Sequence, residues 1–367
     1  MIRRLILILL VLSFFLVAGL VMALFVFRHP TPAEFEQATA SSPVSVDRDE
    51  AAHFSVTTEW WYYTGFLDGT DGQRYGFELV FFKSFIPPEV KIGNVVPVNW
   101  ISNPVYMAHF AVSDQTARDH VFFEQVSFPQ FWSANASDNR YAVRNGDWQA
   151  WGSGGKHYLQ ATAGRYSLWL DLDSTKPAAL HGTGDTGVID MGTAGTSYYY
   201  SYTDLQGAGL LTVDGVQQGV LAEAWMDHQW GSWASHGDLA GWDWFSLRLD
   251  DGSQAMLFNF RDKEGQVQPE SSGTWIDPDG TTHHLEAGDF AVQVLERWTG
   301  PDATYPVKWD VAVPDLGLQA TVEATFPDQE MAVEVGPTYW EGTVMVTGTV
   351  SGEGFVEMTG YRPGSHN

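Results

Sequence analysis

Residues 59–82 read EWWYYTGFLDGTDGQRYGFELVFF, which is two aromatic-rich runs joined by a short polar stretch. The polar stretch contains Asp68-Gly69 and Asp71-Gly72, and Asp-Gly pairs between apolar runs are typical of β-hairpin turns. Aromatic residues favour strands because they pack well on a pleated, half-buried surface. The stretch therefore predicts an antiparallel hairpin.

Similar short runs follow at hairpin spacing along the chain. The predicted strands cover residues 105–113, 120–128, 148–152, 158–163, 166–172, 198–205, 210–213 and 219–226. The chain of 367 residues is rich in Trp, Tyr, Phe and Gly, and it lacks the long Ala, Leu, Glu and Lys-rich runs that indicate helices. Many short strands with regular turns predict an all-β fold, either a sandwich or a barrel.

A second copy of the hairpin pattern lies at residues 241–260, GWDWFSLRLDDGSQAMLFNF. At a constant offset of 182 positions, the first copy matches the second in four pairs: Trp60 and Trp242, Tyr63 and Phe245, Leu67 and Leu249, Asp68 and Asp250. Late in each half, GVLAEAWMD at 219–227 is echoed by GFVEMTGY at 354–361. The repeat predicts two related β domains, residues 51–233 and residues 234–367.

Residues 224–233, AWMDHQWGSW, place Asp227 and His228 among three tryptophans. Charged side chains are rarely buried without a partner, so Asp227 is either a turn cap or a carboxylic acid in an apolar pocket. The second copy has no aspartate near the corresponding place. We therefore expect any chemistry that depends on Asp227 to belong to the first domain.

Strand parity separates the residues of this segment into two faces. Glu223, Trp225 and Asp227 share one face, and His228 lies on the other with Met226. If Asp227 faces a cavity, Glu223 is expected there too, and a second nearby carboxyl would raise one of the two pKa values. If the other face is inward, His228 is the cavity residue.

The N-terminus carries Arg3 and Arg4 before an uncharged apolar run at residues 5–27. A run of this length spans a bilayer core, and no small-residue cleavage site follows it, so an uncleaved anchor at residues 1–29 is favoured over a cleaved signal. The two arginines are expected to stay cytoplasmic, which places the rest on the periplasmic or other extracytoplasmic face. Residues 30–50 resemble an exposed stalk.

The charge balance excludes one class of partner. The chain has 19 Lys and Arg against 45 Asp and Glu, a net charge of −26. Phosphate binding needs the opposite balance, so no nucleic acid is expected as a partner. The chain has no cysteine, and disulfides are therefore absent.

Several sequence blocks together resemble the CrtC/AttH-like family. They are EWWYYTG at 59–65, AHFAVSD at 108–114, YYYS at 198–201, WMDHQWG at 225–231, YPVKWDVAVP at 305–314, YWEG at 339–342 and VEMTGY at 356–361. The family includes carotenoid 1,2-hydratases and secreted members labelled predicted hydrolases, and this chain is more similar to the secreted branch. The resemblance implies two lipocalin-like antiparallel barrels in tandem, which hold an apolar molecule.

In the hydratase members an aspartate protonates an isolated alkene, and its motif position matches Asp227. A carboxylic acid that protonates so weak a base must stay neutral near pH 7, which requires raising its pKa from about 3.9 by roughly 3–5 units through desolvation. Trp225, Trp230 and Trp233 could supply apolar walls. His228 or Tyr200 could orient the acid or a water, so the predicted catalytic residues are Asp227, His228 and Tyr200.

The aromatic motifs of both copies are candidates for the ligand-binding wall. The predicted ligand-binding residues are Glu59, Trp60, Trp61, Tyr62, Tyr199, Trp225, Gln229, Trp230, Trp242 and Trp244. An alternative for the Glu59 motif is purely structural. In that interpretation the tryptophans close one end of the barrel, and Glu59 is a buried hydrogen-bond anchor.

Two classes of function remain open. The first is acid-catalysed hydration, cyclisation or isomerisation of an apolar substrate in the first barrel. The second is a non-catalytic carrier or chaperone for lipid-like molecules, which works with a membrane transporter such as one of the ABC type. No zinc motif of the H-E-x-x-H kind and no G-x-S-x-G occurs, so neither a metal, nor another cofactor, nor a serine nucleophile is expected.

Overall fold

The computed structural model confirms an all-β fold and the predicted opening hairpin. It describes residues 12–19, 34–87, 91–92, 96–97, 103–128, 133–232, 239–334, 336 and 338–362. Strand β1 (Thr58–Gly69) pairs antiparallel with β2 (Arg74–Ser84), with Asp68 opposite Arg74. The turn between them contains Gly72 at φ +82°, a backbone conformation that glycine adopts without a steric penalty.

The first sheet has 13 strands, all antiparallel neighbours. A short helix α1 (Val46–Asp49) precedes β1. After β2, the strands β3 (Lys91–Ile92) and β4 (Val96–Pro97) form a small hairpin that is separate from the first sheet. The other strands of the first sheet are β5 (Val105–Asp114), β6 (Asp119–Ser127), β7 (Ala134–Ala136), β8 (Ala142–Asn145), β9 (Trp148–Ser153), β10 (Lys156–Ala163), β11 (Tyr166–Ser174), β12 (Ala179–Leu180), β13 (Val188–Asp190), β14 (Thr196–Val213) and β15 (Val216–Gly231). The order along the main path is β6-β5-β2-β1-β15-β14-β11-β10-β9-β8-β7.

The first sheet curls into a barrel-like shape around a packed core. The Asn145 side-chain amide on β8 donates hydrogen bonds to the Tyr106 carbonyl on β5 and the Gln125 carbonyl on β6, at 3.3 and 3.1 Å. These bonds link the two ends of the curled sheet. Large side chains such as Trp61 and Trp148 are completely buried inside it.

One predicted break between strands is absent. The sequence predicts separate strands at 198–205 and 210–213, but β14 runs through both and pairs with β15 along nearly its whole length. The pairing register shifts between Tyr202 and Leu205. A β-bulge absorbs such a shift and leaves the strand continuous.

The second sheet has ten strands and repeats the centre of the first. Its strands are β16 (Leu239–Leu249), β17 (Gln254–Asp262), β18 (Ser272–Ile276), β19 (Thr282–Glu286), β20 (Ala291–Thr299), β21 (Thr304–Val313), β22 (Leu318–Ala324), β23 (Glu330–Met331), β24 (Tyr339–Gly348) and β25 (Gly352–Met358). The neighbour order β17-β16-β25-β24 reproduces β2-β1-β15-β14, as the offset of 182 predicts.

The two sheets pack against each other through the outer faces of β1 and β15 and of β16 and β25. Tyr62 and Trp244 meet edge to face, with ring centroids 5.4 Å apart, inside an apolar cluster that joins the sheets. At the border of this contact, Arg74 forms an ion pair with Glu353 at 2.8 Å and Arg248 with Glu223 at 3.0 Å. The predicted boundary between 233 and 234 falls among residues outside the described part.

The predicted membrane anchor lies mostly outside the described residues. Residues 12–19 are helical. Within the described part of the chain, no helix is both long and apolar enough to cross a membrane.

Candidate active site

An apolar cavity of about 330 Å³ lies between the two sheets. Seven of the predicted site residues line it: Trp60, Tyr62, Tyr199, Asp227, Gln229, Trp242 and Trp244. Phe82, Met191, Phe258 and Phe260 complete much of the apolar wall. Residues from both domains therefore build one chamber.

The position of this cavity corrects the expectation of a chamber inside the first barrel. The barrel interior is filled by the opposite face of the same strands, including Trp61 and Tyr63 of β1 and Met226 of β15. The residues that alternate with them, such as Tyr62 and Asp227, point to the second sheet and line the cavity. The cavity therefore lies at the contact between the sheets, because side chains fill the interior of the first barrel.

Asp227 is buried and holds three hydrogen bonds. Tyr199 donates its hydroxyl to Oδ2 at 2.7 Å, the Trp225 indole Nε1 donates to Oδ1 at 2.6 Å, and the Ser201 hydroxyl also contacts Oδ1. Burial raises the pKa of Asp227 to about 7, against the lowering effect of these three bonds. Near neutral pH this group can therefore give or accept a proton.

A short chain of polar side chains lies behind Asp227, and no sequence motif marks it. Ser201 Oγ lies 2.7 Å from His181 Nε2, and His181 Nδ1 lies 2.8 Å from Thr274 Oγ1. Burial lowers the pKa of His181 to about 3, so its ring is neutral and has one acceptor nitrogen. When that acceptor is Nε2, Ser201 can donate to His181 and accept the proton of a neutral Asp227.

The predicted second carboxyl, Glu223, does not line the cavity. It shares the outer face of β15 with Asp227 but forms an ion pair with Arg248 at 3.0 Å. A different carboxyl, Glu357, lines the cavity from the second domain. Burial raises the pKa of Glu357 to about 7, against the hydrogen bond from Trp242 Nε1 at 2.9 Å, and the charge of Asp227 adds to the rise.

The second domain has no aspartate at the place that corresponds to Asp227, as the sequence indicates, but it has Glu357 there. Asp227 lies opposite Tyr62 in the pairing of β1 with β15. Glu357 lies opposite Trp244, the counterpart of Tyr62, in the pairing of β16 with β25. A search of the sequence for a second aspartate misses this match because the residue is a glutamate.

Two further buried carboxyls lie behind the cavity wall. Tyr339 donates its hydroxyl to Glu78 Oε1 at 2.9 Å and lies 2.7 Å from His109 Nδ1, while Tyr62 donates to Glu341. Burial raises the pKa of Glu78 to about 8 and the pKa of Glu341 well above its ordinary value. The interface therefore concentrates groups that are neutral acids near pH 7.

A separate ionic group occupies the inner face of the first sheet. The Glu59 carboxylate lies 2.9 Å from Lys83 Nζ, 2.9 Å from His228 Nε2 and 2.8 Å from His53 Nδ1, and Tyr200 contacts His228 Nδ1 at 3.1 Å. Burial alone would raise the pKa of Glu59, but Lys83 and the histidines hold it well below the usual range. This arrangement matches the predicted alternative of a buried hydrogen-bond anchor.

The placement of this ionic group corrects part of the predicted site. The side chains that do not reach the cavity are those of Glu59, Trp61, Tyr200, His228 and Trp230, which belong to the interior of the first domain. Trp225 lies behind the wall, where it contacts Asp227. Trp233 falls outside the described residues.

One group of metal-ligand side chains comes together in the described part of the chain. His53, Glu59 and His228 place ligand atoms within 4.8 Å of one another. The Lys83 ammonium already neutralises Glu59, and a positive charge at this distance opposes a metal ion. The donor set therefore fits an ion-pair anchor better than a metal centre.

The fold and the cavity define a class: tandem barrel-like β domains that enclose an acid-bearing apolar cavity between them. The chain belongs to the AttH-like family, whose model matches residues 37–361. This match confirms the resemblance seen in the sequence. Comparison with curated proteins gives no sequence match.

Solved structures share the architecture along most of the chain. A protein labelled AttH from Nitrosomonas europaea is 27% identical, with a TM-score of 0.79 over 89% of this chain and 100% of that one. Kievitone hydratase from Nectria haematococca is 16% identical, with a TM-score of 0.67 over 91% and 98% of the two chains. CghA with Sch210972 is 12% identical, with a TM-score of 0.52 over 92% and 97%.

Proposed function

We propose that this protein binds an apolar, unsaturated small molecule between its two domains and catalyses a reaction that begins with proton transfer from Asp227. The reaction class is hydration, isomerisation or cyclisation of an alkene. One observation carries the proposal: a carboxyl group with a pKa of about 7 lines an apolar cavity. An acid of this kind is partly protonated at neutral pH, because burial disfavours its charged form.

The cavity wall suits the charge that such a reaction develops. Protonation of an alkene leaves a carbocation, and the faces of aromatic rings attract cations. Trp60, Trp242 and Trp244 supply indole rings at the wall. These rings stabilise positive charge without offering a nucleophile that competes with the intended acceptor.

The structural neighbours support the reaction class only through their shared fold. One neighbour is kievitone hydratase, and another was solved with Sch210972. At 16% and 12% identity, both neighbours share the fold with this chain. The proposed reaction depends on Asp227 and on the cavity around it.

A carrier function uses the same cavity without proton transfer. The predominantly apolar lining supports this alternative because it would hold a lipid-like molecule equally well. The apolar N-terminal run supports a membrane-anchored, extracytoplasmic position for either function. A transporter partner is part of the carrier alternative.

Chemical conversion of a probe molecule distinguishes the enzyme from the carrier. Geraniol and farnesol carry trisubstituted alkenes, and incubation in H₂¹⁸O followed by mass spectrometry detects added water. We expect conversion by the wild type and a loss of at least about 10²-fold in Asp227→Asn. Glu223→Gln is the matched control, because Glu223 shares the strand and face of Asp227 but lies outside the cavity wall.

Three outcomes are distinguishable. Conversion that depends on Asp227 supports the enzyme, and conversion that Asp227→Asn leaves unchanged contradicts the acid role. An apolar compound that is extracted unaltered from the native protein, with neither probe converted, supports the carrier.

A further inference from the structure

We propose that Glu357 is a second catalytic carboxyl, which faces the substrate from the opposite wall of the cavity and accepts the proton of the attacking water. This inference rests on the proposed function. It assigns the base of the reaction to the second domain and the acid to the first. It also explains why the cavity needs both domains.

The first support is placement. Asp227 and Glu357 occupy matching positions in the two repeated sheets, opposite Tyr62 and Trp244 respectively. Both carboxyl groups line the same cavity. Because the two sheets pack outer face to outer face, the carboxyls approach a bound molecule from opposite sides.

The second support is a difference in hydrogen bonding. Asp227 contacts Tyr199, Ser201 and Trp225, which occupy both of its oxygens. In the described part of the chain, the hydrogen-bond donor to Glu357 is Trp242, whose indole Nε1 lies 2.9 Å from Glu357 Oε1. Glu357 therefore keeps Oε2 available for a water or a cationic intermediate.

The third support is electrostatic. Two carboxylates that share a desolvated site are costly to ionise together, so such a pair holds one proton between them. The charge of Asp227 raises the pKa of Glu357, so the two groups do not ionise independently. A pair with one proton contains one acid and one base, which is what water addition to an alkene requires.

Water addition begins and ends with a proton on Asp227. The Asp227 O–H bond breaks, the π electron pair of the alkene forms a C–H bond with that proton, and the second alkene carbon becomes cationic. A water oxygen forms a C–O bond to that carbon, and a water proton passes to the Glu357 carboxylate. The net change is alkene plus water to alcohol, and transfer of one proton from Glu357 to Asp227 restores the starting state.

A mimic of the cationic intermediate tests the assignment without the natural substrate. At pH 8, N,N-dimethyldecylamine is a cation with an apolar tail, and decan-1-ol is its neutral counterpart. Titration calorimetry of the intact protein compares the two probes. We expect the wild type to bind the cation more tightly than the alcohol, and Glu357→Gln to weaken cation binding about tenfold or more while alcohol binding stays unchanged.

Two variants complete the experiment. Asp227→Asn is expected to keep the wild-type affinity for the cation, because Asn replaces the protonated partner and leaves the Glu357 carboxylate in place. Glu353→Gln is the matched control, because Glu353 lies on the same strand and face but pairs with Arg74 away from the cavity. We expect its affinity for both probes to match the wild type.

The contradicting results are distinct. If Glu357→Gln binds the cation as the wild type does while Asp227→Asn is weakened, the role of Glu357 is overturned and the proposed function stands. If neither variant changes cation binding, or if the wild type does not prefer the cation, the inference is overturned, and the Asp227-dependent conversion decides the proposed function separately. If Glu357→Gln weakens both probes equally, the residue has a structural role and the inference is again overturned.

Discussion

Asp227 and Glu357 occupy matching register positions in two repeated domains, and both carboxyl groups line one apolar cavity. The repeat therefore does more than duplicate a scaffold. It brings two copies of the same strand position to one cavity at the contact between the sheets. Burial at that contact raises the pKa of each group to about 7.

Ser201 tunes the acidity of Asp227. Its hydroxyl donates to the carboxylate form, and a lost donor disfavours that form, so Ser201→Ala should raise the pKa of Asp227 by about one unit. The protonated acid then persists to higher pH. We expect the alkaline limb of the pH–rate profile to move upward by about one unit.

The control for this prediction is Ser197→Ala on the same strand, since Ser197 bonds to Gln229 and not to Asp227. Its alkaline limb is expected to match the wild type. A limb that stays in place or moves to lower pH in Ser201→Ala contradicts the assigned donor role.

Glu78 makes the stability of the protein depend on pH. Burial raises its pKa to about 8 in the folded state, against about 4.3 when unfolded. The folded state therefore binds the extra proton, and stability is lost as pH rises from about 4 to about 8. Glu78→Gln removes this loss and should gain about 4–5 kcal/mol over the wild type at pH 8, with little gain at pH 4.

Denaturant titration at the two pH values measures the free energy of unfolding for this comparison. Glu323→Gln is the control, because Glu323 is exposed and pairs with Lys308 on the surface. A gain for Glu78→Gln that is equal at both pH values would show that the carboxyl is not held neutral by the fold.

Lys83 neutralises Glu59 inside the first domain. Both side chains are completely buried, with Nζ 2.9 Å from the carboxylate. Lys83→Met leaves a buried charge uncompensated and should cost about 3–5 kcal/mol of unfolding free energy. Lys308→Met breaks an exposed pair and should cost less than about 1 kcal/mol. Equal costs in the two variants would refute the proposed role of the buried pair.

Ala194 offers a way to close the cavity without touching the carboxyls. It lies in a 3-10 turn, Gly192–Ala194, and lines the cavity. Ala194→Phe places a ring in the space that a ligand would occupy, so we expect probe binding to fall at least about tenfold while the thermal midpoint changes little. Ala208→Phe, at an exposed position of β14, is the matched control, and retained probe binding in Ala194→Phe would place the ligand elsewhere.

The fold was predictable because its signals are local. Asp-Gly pairs mark the first turn, and aromatic runs mark strands. The offset of 182 marks the repeat, which the matching strand order confirms. The family resemblance rests on the same motifs, and the family match over residues 37–361 confirms it.

The direction of each face was not predictable from the sequence. Parity correctly separates Asp227 from His228, but both faces of β1 and β15 are buried along the segment concerned. An alternation of polar and apolar residues shows which face is inward only when the other face meets water. For this reason the sequence could not place the cavity between the domains rather than inside the first barrel.

Residues that reach the candidate site through long-range contacts were also not predictable from the sequence. His181 lies on no recognisable motif, and its bond to Ser201 depends on a segment that folds back along β14. Glu357 is visible in the sequence, but its match to Asp227 appears only in the pairing register.

The central claim is that Asp227 carries a proton near neutral pH inside the cavity. Infrared difference spectroscopy of the wild type against Asp227→Asn isolates the carboxylic acid C=O band of this residue, which is then titrated between about pH 4 and pH 9. We predict a band that disappears with a midpoint near 7. A midpoint near the ordinary value of about 4, or no acid band at all, would contradict the account.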